Sequence, residues 1–234
     1  MLAGNVCAQQ LPAGTVIPIT LNDGLDADKL EAGKKIDGEV AQEISTSAGV
    51  KIKRGSRINR HIVSATKPGA SGSNIAVRFD EIEAEGQTIP VNLGVIAIAS
   101  MMEVAQAKLP IGSTSNRNLE NDWVTRQVGG DVVRRGQGKV FSRAGVTGTW
   151  LEGSAVRIKL VPGPSAGCVG GPAYEAEQAA WIFSSGACGT YGLDKLTIAS
   201  SGDKPPVGDI VLKSPNMVKV SKGSAWLLTV VSSR

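Results

Sequence analysis

Few residues in this chain could do chemistry. His61 is the one histidine among 234 residues, so a Ser-His-Asp centre would have to be built on it. It stands between Arg60 and Ile62 in a strand-like stretch with no Gly-x-Ser-x-Gly turn nearby, and reads as a structural or surface residue. Asp23, Asp26, Asp28 and Glu31 cluster without the DxDxDG spacing of a calcium loop, and suit helix capping and solvation. Glu81, Glu83 and Glu85 fall on one face of an expected strand. A glycosidase needs two carboxylates across a cleft, whereas a row on one strand discourages edge-to-edge aggregation. P-loop, HExxH and dinucleotide fingerprints are all missing from the sequence. With one histidine and no CxxC, zinc is also disfavoured. The reading is a non-enzyme with no catalytic residue, no metal site and no cofactor.

Two groups are candidates for binding instead. Arg126, Arg134, Arg135, Lys139 and Arg143 form the densest basic group. No aromatic platform is interleaved with it, so it reads as a solvated hairpin and not as a nucleic-acid grip. Trp150, Trp181, Tyr191 and Trp226 are large residues in a chain with only 4% aromatics. They suit either a core or a carbohydrate-binding face. The candidate binding residues are therefore Trp181, Tyr191, Arg134 and Arg135.

The elements that must position these residues are short strands. With 29 glycines and 11 prolines the chain turns often, and Val, Ile, Leu and Ala must fill its core. The net charge of +4 is uneven: the first 110 residues hold 11 basic and 12 acidic residues, the remainder 14 and 9. Alternating strands are expected over Gly14–Leu21, Ile36–Ile44, Val50–Lys53 and Arg57–Thr66. Asp26–Ala32 reads as one helical turn capped by Asp26 and closed by Gly33. Asn74–Ile82 is expected to pair with Thr88–Ala99 across Glu85-Gly86-Gln87. The last of these strands is apolar on both faces and so should be covered on both. Met101–Lys108 has helical composition and Pro110 ends it. Strand grammar resumes from Val128 to Val231, with one short helix expected over Ala173–Ala180. Val50-Lys51-Ile52-Lys53-Arg54-Gly55-Ser56 and Val218-Lys219-Val220-Ser221-Lys222-Gly223-Ser224 share a pattern that two related β-units would leave.

The start, Met1 to Gln10, carries Val6 and Ala8 at the small-residue positions of a secretory cleavage site. Residues 1–8 are thus expected to be the remnant of a signal peptide, and Cys7 would leave with it. Cys168 and Cys188 would remain as an even pair in an oxidising compartment, and a disulfide between them is expected. Such a cross-link stabilises by about 3 kcal/mol in the chain-entropy picture. No stretch approaches the ~18 consecutive apolar residues of a membrane helix, so no membrane span is expected.

A resemblance now has its residues. Leu11-Pro12-Ala13-Gly14-Thr15-Val16-Ile17-Pro18, Lys29–Val40, Val50–Ser56, Val77-Arg78-Phe79-Asp80-Glu81-Ile82, Gly86 and Ile89-Pro90-Val91 follow one another in a familiar order. The first ~100 residues resemble the β-barrel of the channel-core (TrbI-like) family of bacterial conjugation and type IV secretion machines. The match departs from the family at Lys53-Arg54 and Asn59-Arg60, and it shows no antenna helix. What it implies is an exported β-barrel module, not the secretion channel itself.

The expected protein is mainly β, with two β-rich lobes, each a small barrel or sandwich, and few short helices. Residues 9–100 form the first lobe, 101–126 a connector, and 127–234 the second lobe with the disulfide. The expected function is binding or assembly at the bacterial cell envelope, in the periplasm, on the envelope or outside. Its partner would be another envelope protein or a cell-wall polysaccharide. A secreted carbohydrate-binding module is the alternative, and exposed Trp181 and Tyr191 would mark it.

Overall fold

Short strands dominate the computed structural model, which describes residues 10–46, 49–109, 124–130, 132–134, 138–142, 145–151, 155–162, 173–200 and 209–231. The strands of the first part are β1 (Val16–Leu21), β2 (Leu25–Asp26), β3 (Lys35–Val40), β4 (Ile44–Ser45), β5 (Lys51–Ile52), β6 (Arg57–Gly69), β7 (Gly72–Ala84), β8 (Gln87–Pro90) and β9 (Leu93–Ala99). Helix α1 (Met101–Ala107) follows, with the Ser100 side chain accepting from the Glu103 N–H as its cap. Then come β10 (Val124–Arg126), β11 (Val132–Arg134), β12 (Lys139–Ser142), β13 (Gly145–Trp150), β14 (Val156–Ile158) and β15 (Gln178–Ala179). The chain closes with β16 (Gly189–Tyr191), β17 (Thr197–Ser200), β18 (Ile210–Ser214), β19 (Lys219–Val220) and β20 (Ala225–Val230).

A ten-stranded sheet runs β16-β9-β20-β1-β3-β6-β7-β18-β17, with β8 joined to β7 off this path. Its end strands β16 and β17 approach each other, so the sheet curls into a nearly closed barrel. A second sheet is an antiparallel meander, β10-β11-β12-β13-β14-β15. The mainly-β expectation holds. The sheets, however, do not divide the chain at the connector: β16, β17, β18 and β20 return to the sheet begun by β1. The parallel pair β9–β16 requires a crossover, and α1 with the whole meander sheet lies within that connection. Local alternation encodes each strand but not its distant partner.

The barrel contains a doubled unit. Gly55 N–H donates to Val40 O and Ser56 O accepts from Val40 N–H; Gly223 N–H donates to Leu21 O and Ser224 O accepts from Leu21 N–H. At the other end Gly33 N–H donates to Ile62 O, as Gly14 N–H does to Val230 O. β4–β5 pairs Ile44 with Ile52, and β2–β19 pairs Leu25 with Val220. The register agrees throughout, Lys35 opposite His61 matching Val16 opposite Thr229, and Gly38 opposite Ile58 matching Ile19 opposite Trp226. Even the bulges agree, since β6–β7 shifts after Asn59 and β20–β9 shifts after Leu227. Where β1 meets β3, Ile19–Val40, Thr20–Glu39 and Leu21–Gly38 map onto one another when the copies are exchanged. A pseudo-two-fold axis therefore passes between Thr20 and Glu39.

The two copies differ on their outer faces, and this decides where the second sheet sits. In one copy Val16, Ala225, Leu227, Ala97, Ala99 and Ile96 are buried in a second core with Val140, Val156, Ile158 and Trp181. Their counterparts are Lys35, Arg57, Asn59, Glu81, Glu83 and Asp80, which stay half-buried or exposed. The meander covers the apolar copy because only there does docking remove apolar surface from water. Inside the barrel both copies point Ile17 and Ile36, Leu21 and Val40, and Ile98 and Ile82 into one core.

Pro18 sits inside β1 where the β3 ladder ends, beyond the Ile19–Val40 pair, so its missing N–H interrupts no bond there. Two local expectations are corrected. Glu85 and Gly86 both have positive φ, 51° and 78°, and close a two-residue hairpin. That hairpin stops at Pro90, and β9 leaves to pair with β20. β6 runs on through Lys67–Gly69, and Ala173–Ala180 ends in β15 instead of a helix.

Candidate functional site

β1 hands its backbone groups alternately to its two sides. Gly14 and Thr15 bond to Val230 on β20, which turns the Val16 N–H toward the side that β3 has already left. There it meets only a side chain, Gln178 Oε1, at 3.3 Å. The departure of β3 opens a groove of about 540 Å³ between the barrel and the meander sheet. Gly14 and Thr15 line one wall, Glu43 to Thr46 a second, and Arg157, Tyr174 and Glu177 to Ala179 the third. The Tyr174 hydroxyl is tied to Thr229 Oγ1 at 2.9 Å. Its ring packs so closely that a Cβ on Gly14, whose φ is +83°, would lie 3.4 Å from it. The site thus combines a strand edge, both signs of charge and an anchored ring. Such an arrangement can hold an extended chain.

The residues singled out by sequence are scattered. Trp181 is 4% exposed, with φ of +50° and its N–H donating to Gln42 Oε1 at 2.7 Å. Lys108 Nζ lies 5.1 Å from its ring centroid. A stacking face for sugar is closed off there. Tyr191 is half-buried and its hydroxyl accepts from Cys188 N–H at 3.0 Å. Arg134 lies on β11, opposite Val124 and Lys139. Arg135, Cys168 and residues 1–8 lie outside the described residues. His61 pairs with Asp80 at 2.6 Å on the polar outer face of the barrel. Glu81 and Glu83 both accept from Asn59 Nδ2, at 3.0 and 2.7 Å. Glu85 meets Lys53 at 2.8 Å; this exposed pair lowers the carboxyl pKa and raises that of the amine. Among the described residues no group of three or more His, Cys, Asp and Glu is placed to hold a metal, and no helix is long and apolar enough to cross a membrane.

The chain matches no family model, no curated protein and no solved structure. Function has to be argued from the site itself.

One residue escaped the sequence reading. Arg60 is 1% exposed, inside the barrel, and Nε, Nη1 and Nη2 all lack a hydrogen-bond partner. Its guanidinium carbon lies 5.6 Å from the Phe79 ring centroid and 5.7 Å from that of Trp226, two rings packed edge-to-face. Burial pushes its pKa down to about 10, against the pull of Asp23 and Asp37. The signal was present: Arg60 shares the inward face of β6 with Ile58 and Ile62.

Proposed function

We propose that this is an exported, non-enzymatic binding or assembly protein of the bacterial cell envelope. Its groove receives an extended segment of another envelope protein. The observation that carries this reading is the groove itself, where the Val16 N–H on β1 is met by a side chain instead of a neighbouring strand. Extended peptides bind such edges through main-chain hydrogen bonds, and pockets beside the edge select side chains. Export is supported by the cleavage-like start and by Cys188, which is disulfide-bonded; we assign Cys168 as its partner. The likeness of the first ~100 residues to the secretion-core barrel points to the same compartment. The carbohydrate-binding alternative is disfavoured by the burial of Trp181.

The test is site-specific photocrosslinking in cells. A benzoylphenylalanine at Glu43, on the groove wall, should give an adduct with an envelope protein, and one at Lys35, on the exposed charged face, should not. Ala176→Trp, which fills the groove from an exposed lining position, should abolish the adduct. Equal labelling from both positions, or an adduct indifferent to Ala176→Trp, would refute the assignment.

A further inference from the structure

The pseudo-two-fold axis gives Arg60 a counterpart to be judged against. Arg60 faces Ile36 across β3–β6, and Leu228 faces Ile17 across β1–β20 at the equivalent place. Leucine therefore satisfies this position in an otherwise repeated barrel, and the fold does not require a cation there. The neighbour has changed as well. Ile19 points into the core of the leucine copy, but its counterpart is Gly38. A Cβ on Gly38 would lie 3.7 Å from Arg60 Nη1 and 2.9 Å from Thr20 O. The glycine makes the room that the guanidinium occupies. Likewise Trp226 and Phe79 stand where the other copy has Ile58 and Val95.

Arg60, Trp226 and Phe79 supply donors or aromatic faces, Gly38 supplies room, and no exchanged side chain supplies an acceptor. Five guanidinium N–H groups have no partner; Trp226 Nε1 beside them also lacks one. Ser224 Oγ, on the inward side of the same strand end, is buried and unpaired too. The nearby carboxylates are engaged elsewhere. Asp23 Oδ2 accepts the Asp37 N–H at 3.0 Å, and Asp37 pairs with Arg57 at 3.6 Å. The two aromatic faces offset part of the cost of burying the charge, but a π-face leaves in-plane N–H groups unsatisfied. A buried cation lacking an acceptor is costly, and a planar fork of donors matches a carboxylate or phosphate.

We propose that the end of the barrel under the Asn22–Gly24 and Ser221–Gly223 turns is a binding site for a small oxyanion, with Arg60 and Trp226 Nε1 as its donors. The site is independent of the groove. The ligand is a carboxylate or a tetrahedral oxyanion, and Arg60 forms the charge-assisted bonds that hold it.

The test uses the whole purified protein in a chloride medium at constant ionic strength, titrated separately with acetate, phosphate and sulfate. Tm should rise saturably with at least one of them, by about 5 °C at a hundredfold excess over Kd. Arg60→Leu, which installs the residue of the other copy, and Arg60→Met, which keeps an unbranched stem, should lose the response. A rise with acetate alone assigns a carboxylate ligand; a rise with phosphate or sulfate assigns a tetrahedral one. In parallel the Nε–H resonance of Arg60 in the unmodified protein should shift along the same isotherm, a readout that does not depend on either variant folding. No saturable response from any of the three anions, or the same response in the variants, would overturn the site and leave the guanidinium to buried water.

Discussion

Leucine and arginine at equivalent positions of one barrel give a comparison that single-site mutagenesis seldom offers. Replacing even a buried ion pair by well-packed apolar residues is often neutral or stabilising by ~1–4 kcal/mol, and leaving a buried charge uncompensated costs ~3–5 kcal/mol. Without added oxyanion, Arg60→Leu is expected to raise stability, and Leu228→Arg to lower it, because Ile19 occupies the room that Gly38 leaves in the other copy. The pH dependence follows from the sign of the shift. Arg60 is pushed down to about 10 in the folded protein, so the unfolded chain binds more protons above that pH. The penalty is complete below pH 10 and is relieved as pH climbs through 10 toward the ordinary arginine range. The stability gap between Arg60→Leu and the unmodified protein should be flat from pH 7 to 9 and start to narrow near pH 10, as urea unfolding at each pH would register. A gap that opens with rising pH would contradict a destabilising buried charge.

Among the elements, the turns Lys53–Ser56 and Ser221–Ser224 carry the repeat. Gly55 and Gly223 sit at φ of +85° and +80°, where a side chain is strained by about 1 kcal/mol or slightly more. An added Cβ meets nothing within 4 Å at Gly55 and only the Met101 side chain at Gly223, Cγ at 3.5 Å and Sδ at 4.0 Å. Gly55→Ala and Gly223→Ala should therefore each lower the urea midpoint by an equivalent of ~1–2 kcal/mol with m unchanged, and the double variant should show the sum. A several-fold difference between them would mean that the matched hydrogen bonds hide unequal turns. The V-K-aliphatic and Gly-Ser pattern made these turns legible, because glycine at positive φ and a polar pair ending in a basic residue leave a mark in sequence. The register of β1 with β20 left none. The apolar, strand-like run Ala225–Val230 marks a strand and is silent on whether its neighbours lie next to it in sequence or far along the chain. The groove was invisible for the same reason: it exists where β3 departs, and it is walled by Tyr174 and Gln178 from a distant part of the chain. Arg60 was legible in principle, two residues from Ile58 and two from Ile62 on one face of β6.

For the whole molecule, one side of a near-symmetric barrel is sealed by the meander sheet while the other remains charged, and the difference rests on a few outward positions. Leu227 packs in the core shared with the meander; Asn59, its counterpart, donates to Glu81 and Glu83 instead. Leu227→Asn therefore transplants the open surface onto the sealed one. Losing the leucine contacts costs ~2–5 kcal/mol, and the new amide is left under the meander with no carboxylate opposite, since Ala97 and Ala99 occupy those places. The inward face of β20, with Trp226 and Leu228, is untouched. The loss should then fall on docking before it falls on the barrel. Amides of β12, β13 and β14 should exchange many-fold faster, and those of β6 and β7, two 13-residue strands joined as a hairpin, should keep their protection. Uniform acceleration across both sheets would show instead that barrel and meander unfold as one cooperative unit, so that the crossover from β9 to β16 is a structural member of the barrel and not a covering laid upon it.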